Sequence, residues 1–214
     1  MDEDDDVPRL SAETFAALQE FYAEQTKREE ILSKLEADNK LGEKIIFEEN
    51  WQLSQFWYDE ATVRTLVKVI DRVLPDGGKV ALISCPTLFV PLKRQIGHRA
   101  SVTLFEFDRR FEVHAPDFIF YDYNHPDKLP PDIEGSYNLV VADPPFLSEE
   151  CVTKTSQTIK LLTKEKIVFC TGAIMKELVE KFLDLKCCQF QPHHRNNLAN
   201  EFSCYANFEL DALV

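Results

Sequence analysis

At 214 residues with 44% hydrophobic content, the chain can bury one substantial core, and its length suggests one domain with an appendage. The formal net charge is −13, and the first 50 residues carry 15 acidic and 6 basic side chains, so the acidity is concentrated in the N-terminal quarter. There is no cluster of Lys and Arg such as a phosphate backbone requires, no run of about 18 apolar residues, and no basic, apolar head in the start MDEDDD; these argue against stable nucleic-acid binding, a membrane span and secretion.

A soluble, intracellular protein, acting as a monomer, is expected. Its acidic surface either suits a basic protein partner or only aids solubility. Six cysteines (Cys85, Cys151, Cys170, Cys187, Cys188, Cys204) form no CxxC pair, and four of them sit inside apolar runs, so buried thiols are expected rather than disulfides or metal ligands.

In chain order, Ser11 reads as the N-cap of a helix with Phe15, Leu18, Phe21 and Tyr22 on one face. The charged residues 24–44 read as either a solvated helical extension or a mobile linker, so residues 1–44 are expected to form an acidic helical extension and 45–214 the main domain. NWQLSQFWY, at 50–58, is an aromatic cluster that fits either plain core or a lid before the next helix. From residue 60, Val63, Leu66, Val67, Ile70 and Val73 share a helical face, and PDGG at 75–78 stops it.

Five continuous apolar runs follow, at residues 79–84, 101–107, 117–123, 137–143 and 166–172, as expected of strands buried on both faces. Segments of helical spacing at 148–162 and 173–185 lie between or after them, which predicts an α/β, doubly wound, mostly parallel sheet. KCCQFQP and EFSCYANF read as an antiparallel hairpin closing the edge of a seven-stranded sheet. This arrangement resembles that of Class I methyltransferases.

Ligands of open α/β sheets bind beyond the carboxyl ends of the strands. Those ends carry Ser84, Cys85 and Pro86 after the first strand, Glu106 and Asp108 after the second, Asp122 after the third, and Asp143, Pro144, Pro145 and Phe146 after the fourth. Acids at three successive ends suit a nucleoside, one carboxylate accepting the ribose hydroxyls and another an exocyclic amine. The two prolines remove two amide donors and stiffen the backbone, leaving an acceptor-rich rim for an incoming amino group. Phe146 offers a face for a planar base or a cation.

DPPF matches the [DNS]PP[YFW] signature of amino-group methyltransferases that use S-adenosylmethionine. Together with NWQLSQFWY, FEFDRRF, FIFYDYN, CTGAIM and NLANEFSCY, it makes the chain, from about residue 11 to 208, similar to the eukaryotic elongation factor 1-alpha lysine methyltransferases, once labelled N6-adenine DNA methyltransferases. The resemblance implies the cofactor S-adenosyl-L-methionine, the product S-adenosyl-L-homocysteine and the elongation factor as substrate. It implies a catalytic rim of Asp143, Pro144, Pro145 and Phe146, Glu106 on the ribose, and Asp122 on the adenine side. Gln55 and Trp57 would come from a lid, Asp108 would share ribose duty or N-cap the segment after it, and Ser84, Cys85 and Pro86 would hold the methionine end. No glycine occurs between Gly78 and Gly97, so SCPTLF must replace the usual glycine-rich turn.

His193, His194, Cys187 and Cys188 lack the spacing of a metal site, and the loop 192–201, with Arg195, Asn200 and Glu201, is expected to border the substrate entrance. The reading is transfer of methyl groups to a lysine amine, Asp143 positioning the nitrogen. Transfer to adenine N6 in DNA or RNA, and a methyltransferase-like module without activity, are the alternatives.

Overall fold

The computed structural model describes residues 49–196, 198 and 200–214; the expected acidic helix at residues 1–44 lies outside them. Seven strands form one sheet: β1 (Lys79–Ile83), β2 (Ser101–Glu106), β3 (Phe118–Phe120), β4 (Leu139–Ala142), β5 (Lys166–Gly172), β6 (Lys186–Cys187) and β7 (Phe202–Ala206). Their spatial order is β3-β2-β1-β4-β5-β7-β6. The first five are parallel, and β7 runs antiparallel between β5 and β6. Order therefore reverses between β1 and β4, which opens a crevice at their carboxyl ends.

The central strands form because their side chains have no water-facing side: Val80 to Ile83 and Leu139 to Ala142 are fully buried. Among the described residues, four helices flank the sheet: α1 (Glu60–Val73), α2 (Phe89–Ile96), α3 (Glu149–Leu162) and α4 (Lys176–Leu183). Asp59 starts α1 by accepting the Thr62 amide at 2.7 Å, and Ser148 starts α3 by accepting the Cys151 amide at 3.2 Å. The buried face of α1 is centred on Thr62, Leu66, Val69 and Ile70, so it is turned from the expected stripe and leaves Val63, Val67 and Val73 half-buried.

Strand and helix do not alternate throughout. Between β2 and β3 there is only a 3-10 segment, Arg109–His114, because ten residues ending at Pro116 leave no room for a crossover helix. Between β3 and β4, Pro126, Pro130, Pro131 and Gly135 forbid one. The short α2 carries its Pro91 within the first turn, where the missing amide costs nothing. The closing hairpin is present but β6 is two residues long, since the amides of Gln189 and Phe190 donate to the Asp211 carboxylate at 2.8 and 3.0 Å rather than continue the ladder. Cys85, Cys151, Cys170 and Cys204 are buried thiols, whereas Cys187 is exposed and Cys188 half-buried.

The cap at Asp59 also marks where the chain leaves the aromatic segment. Asp59→Ala is expected to lower stability by about 1 kcal/mol, read as a fall of a few degrees in the melting temperature of the purified protein.

Candidate active site

A cavity of about 480 Å³ opens at the carboxyl ends of β1 to β4. From the predicted set, Gln55, Trp57, Ser84, Cys85, Pro86, Glu106 and Asp122 line it together with Asp143 to Phe146. Asp108 does not line it. Its Oδ1 accepts the Arg110 amide at 3.0 Å as the cap of the 3-10 segment, and its Oδ2 accepts from Gln55 Nε2 at 3.1 Å and Arg110 Nη2 at 2.6 Å. It thus works behind the wall, where it holds Gln55.

Glu106 ends β2 with only 5% exposure. Burial pushes its carboxyl up to about 7, although the amides of Phe107 and Asp108, donating to Oε1 at 3.0 and 3.1 Å, favour the ionised form. Asp122, beyond β3, goes the other way. Burial alone would raise it, but the Asn124 amide at 2.9 Å, His125 Nδ1 at 3.0 Å and the Asn124 side chain at 3.0 Å outweigh burial and hold it below the ordinary value.

Asp143 donates its amide to the Ile83 carbonyl at 3.0 Å, the last rung between β4 and β1 before the prolines. Phe146 is 40% exposed at the mouth, and its ring lies 5.7 Å from that of Tyr123. Opposite, Ser84 takes a φ of 54°, a left-handed conformation normally left to glycine. It therefore makes the turn for which the sequence has no glycine, and the next residue, Cys85, is buried with its thiol 3.5 Å from the Val141 carbonyl.

Residues 55–58 form the remaining wall. Gln55 Oε1 accepts from the Asn50 amide at 3.1 Å and Arg110 Nη2 at 3.2 Å, which ties this segment to the end of β2. Trp57 is 8% exposed, with the Arg195 guanidinium 5.3 Å from its ring centroid.

Several lining residues carry no signature in the sequence. Phe107 follows Glu106 and faces Phe120 at 5.5 Å; Tyr123 adjoins Asp122; His194 and Phe202 come from the far end of the chain. Phe107 and Tyr123 could have been found as the aromatic neighbours of the strand-end acids, whereas the sequence marks His194 only as a member of the loop 192–201 expected at the entrance, with no role of its own. In the loop 192–201, His194, Leu198 and Asn200 line the cavity, Arg195 covers Trp57, and the Glu201 carbonyl accepts the Ala173 amide at 2.8 Å.

Three carboxylates line the cavity and, among the described residues, no Lys or Arg does. Such a lining fits a ligand that brings donors and positive charge, and opposes one that brings phosphates. Ribose hydroxyls, an exocyclic amine, an ammonium and a sulfonium are what these acceptors can satisfy, so the residues present fit S-adenosylmethionine. Among the described residues no group of three His, Cys, Asp or Glu side chains could hold a metal ion, and no helix is long and apolar enough to cross a membrane.

Comparison with known proteins adds to this geometry. The family described as "Probable N6-adenine methyltransferase" matches residues 49–210. EEF1A lysine methyltransferase 1 of Mus musculus is 50% identical over 97% of this chain and 95% of its own length, and that of Homo sapiens is 48% identical over 97% and 95%. Protein-lysine N-methyltransferase EFM5 of Saccharomyces cerevisiae is 37% identical over 94% and 92%.

Solved structures of similar shape include the branched-chain polyamine synthase of Thermus thermophilus, with a TM-score of 0.55, 12% identity and coverage of 84% of this chain and 61% of that one. Fibrillarin of Aeropyrum pernix with bound S-adenosyl-L-methionine gives a TM-score of 0.50, 12% identity and coverage of 78% and 85%. These likenesses, with the strand order above, give the Rossmann-like Class I methyltransferase fold. With half its residues shared over almost its whole length, the chain belongs to the family that contains the EEF1A lysine methyltransferases 1.

Proposed function

We propose that the protein is an S-adenosylmethionine-dependent protein-lysine N-methyltransferase whose substrate is elongation factor 1-alpha, acting as a cytoplasmic monomer. The observation that carries this reading is the Asp143-Pro144-Pro145-Phe146 rim at the end of β4, facing a cavity with carboxylates and no cationic lining among the described residues. The names of the close relatives supply the substrate.

When bound, S-adenosylmethionine supplies an electrophilic methyl on a sulfonium. Glu106 would accept the ribose hydroxyls, Asp122 would face the adenine side, the backbone at Ser84, Cys85 and Pro86 would border the methionine end, and Gln55 and Trp57 would wall it. The Asp143 carboxylate and the Pro144 carbonyl would accept N–H bonds from the incoming lysine nitrogen and so orient its lone pair for attack. Phe146 and Tyr123 shield its alkyl chain. The acidic residues 1–44 and the net charge of −13 favour encounter with a basic partner.

The family description names adenine N6 as acceptor, and the rim would accept that amine too. A nucleic acid would have to bring its phosphates to an acidic protein without a cation at the cavity.

Labelled S-adenosylmethionine should transfer label to purified elongation factor 1-alpha, and Asp143→Ala should abolish it. Label appearing in nucleic acid, and lost on nuclease treatment, would overturn the assignment.

The raised Glu106 carboxyl predicts a pH dependence. The unfolded chain releases this proton near 4.5 and the folded one near 7, so stability falls as pH rises across that window. Ribose hydroxyls favour the ionised form. Adenosine, which has no amine titrating there, should therefore bind up to about tenfold more tightly per pH unit up to about 7 and level off above it. Glu106→Gln should flatten that profile in calorimetry while raising the melting temperature of the free protein at pH 8.

At the first loop, Ser84→Gly should preserve cofactor binding, because glycine adopts the same φ freely. Ser84→Val should weaken binding and cost about 1–2 kcal/mol of stability.

A further inference from the structure

His194 is the one imidazole lining the cavity among the described residues, and two separate elements fix its position. Its backbone is clasped to the segment before α1: the Asp59 amide donates to the His193 carbonyl at 2.9 Å, and the Arg195 amide to the Trp57 carbonyl at 2.8 Å. Its ring packs between Phe202 of β7, with centroids 4.4 Å apart, and Tyr58, at 5.2 Å. The edge of the ring is turned toward the rim, with Nε2 4.0 Å from Asp143 Oδ2 and the side chain 4% exposed.

A separation of 4.0 Å is too long for a direct hydrogen bond. It does admit one nitrogen between the two. A nitrogen at about 2.9 Å from each would see them about 90° apart, within reach of two N–H bonds of a single ammonium group. Neither ring nitrogen of His194 has a hydrogen-bond partner among the described residues. The groups facing it that carry charge or titrate are the Asp143 carboxylate from the end of β4 and the Tyr58 phenol, which burial and then the Asp143 charge hold well above its ordinary value and so protonated. From β7 it meets the uncharged Phe202, and the Arg195 guanidinium lies over Trp57 instead.

We propose that His194 is a catalytic residue that takes the proton from the substrate lysine. This rests on the lysine-methyltransferase reading and supplies what that reading needs: a lysine enters as an ammonium, with a reference pKa of about 10.4 and no lone pair. The ammonium donates one N–H to Asp143 Oδ2 and one to His194 Nε2. The second proton passes to Nε2, which leaves an imidazolium beside a carboxylate. The amine then turns about its Cε–Nζ bond, away from the imidazolium, so that the freed lone pair faces the donor methyl and forms the new N–C bond, while the S–C bond of the donor breaks with its electron pair passing to sulfur. The imidazolium then releases its proton to water as product leaves, and neutral His194 is restored.

The test compares wild type, His194→Ala and His194→Gln on elongation factor 1-alpha, with calorimetric binding of S-adenosylmethionine as the check that each variant is folded. Both variants should bind the cofactor as wild type does and lose kcat at pH 7 by roughly 100-fold. The deficit should shrink as pH rises to about 9.5, where free lysine amine becomes available. Added imidazole should restore part of the activity of His194→Ala. Wild-type kcat in both variants, or a deficit that neither pH nor imidazole relieves, would overturn the proposal. Failure of wild type itself to methylate the factor would overturn the substrate assignment instead.

Discussion

The hydrogen bond from the Asp143 amide to the Ile83 carbonyl is the contact on which the cleft depends. The next two residues are prolines without N–H groups, so it is the last rung that β4 can donate to β1. Matching rungs end the neighbouring pairs: the Ser84 amide reaches the Phe105 carbonyl at 2.9 Å, and the Tyr121 amide reaches that of Glu106 at 3.0 Å. In each strand, the candidate site residue comes at or just past the last rung. A slip of one residue would turn each carboxylate to the other face of the sheet. What prevents it is the burial of Val80 to Ile83 and Leu139 to Ala142, each large apolar side chain contributing about 1.5–3 kcal/mol. The geometry of the site is thus set by the core.

That geometry has an electrostatic consequence. Glu106 and Asp122 occupy one cavity, yet burial drives the first up to about 7 while local donors pull the second below its ordinary value. Environments that separate two carboxylates in this way give them different tasks. Asp122 already has its donors. For Glu106 the amides of Phe107 and Asp108 and the Gln55 side chain do not offset burial, so hydroxyl donors brought by a ligand would favour its ionised form further.

The parallel strands were legible because they are continuous apolar runs, and α3 because Ser148 stands before its periodic residues. The strand-end acids followed from that register. Other parts were not legible for physical reasons. The expected alternation fails between β2 and β4, where a short loop and then four turn-forming residues leave no helix. Ser84 gives no sign in its residue type that it will adopt a φ of 54°. Asp108 has the same local signature as Glu106, and only the Gln55 and Arg110 contacts from outside the strand distinguish a capping carboxylate from one that faces the cavity.

His194 shows where such reading stops. Its place is decided by pairing between residues 57–59 and 193–195, segments over 130 positions apart in the chain. The same short clasp that brings His194 beside Asp143 also seats Trp57 at the cavity wall. His193 adds a third tie, its amide donating to the Thr62 hydroxyl at 2.8 Å inside the first turn of α1. The cavity wall at Trp57 and the wall at His194 are therefore held together by one set of backbone hydrogen bonds. The aromatic cluster at 55–58, which in isolation fits a core as well as a lid, acquires its role from a loop whose sequence gives it no local partner.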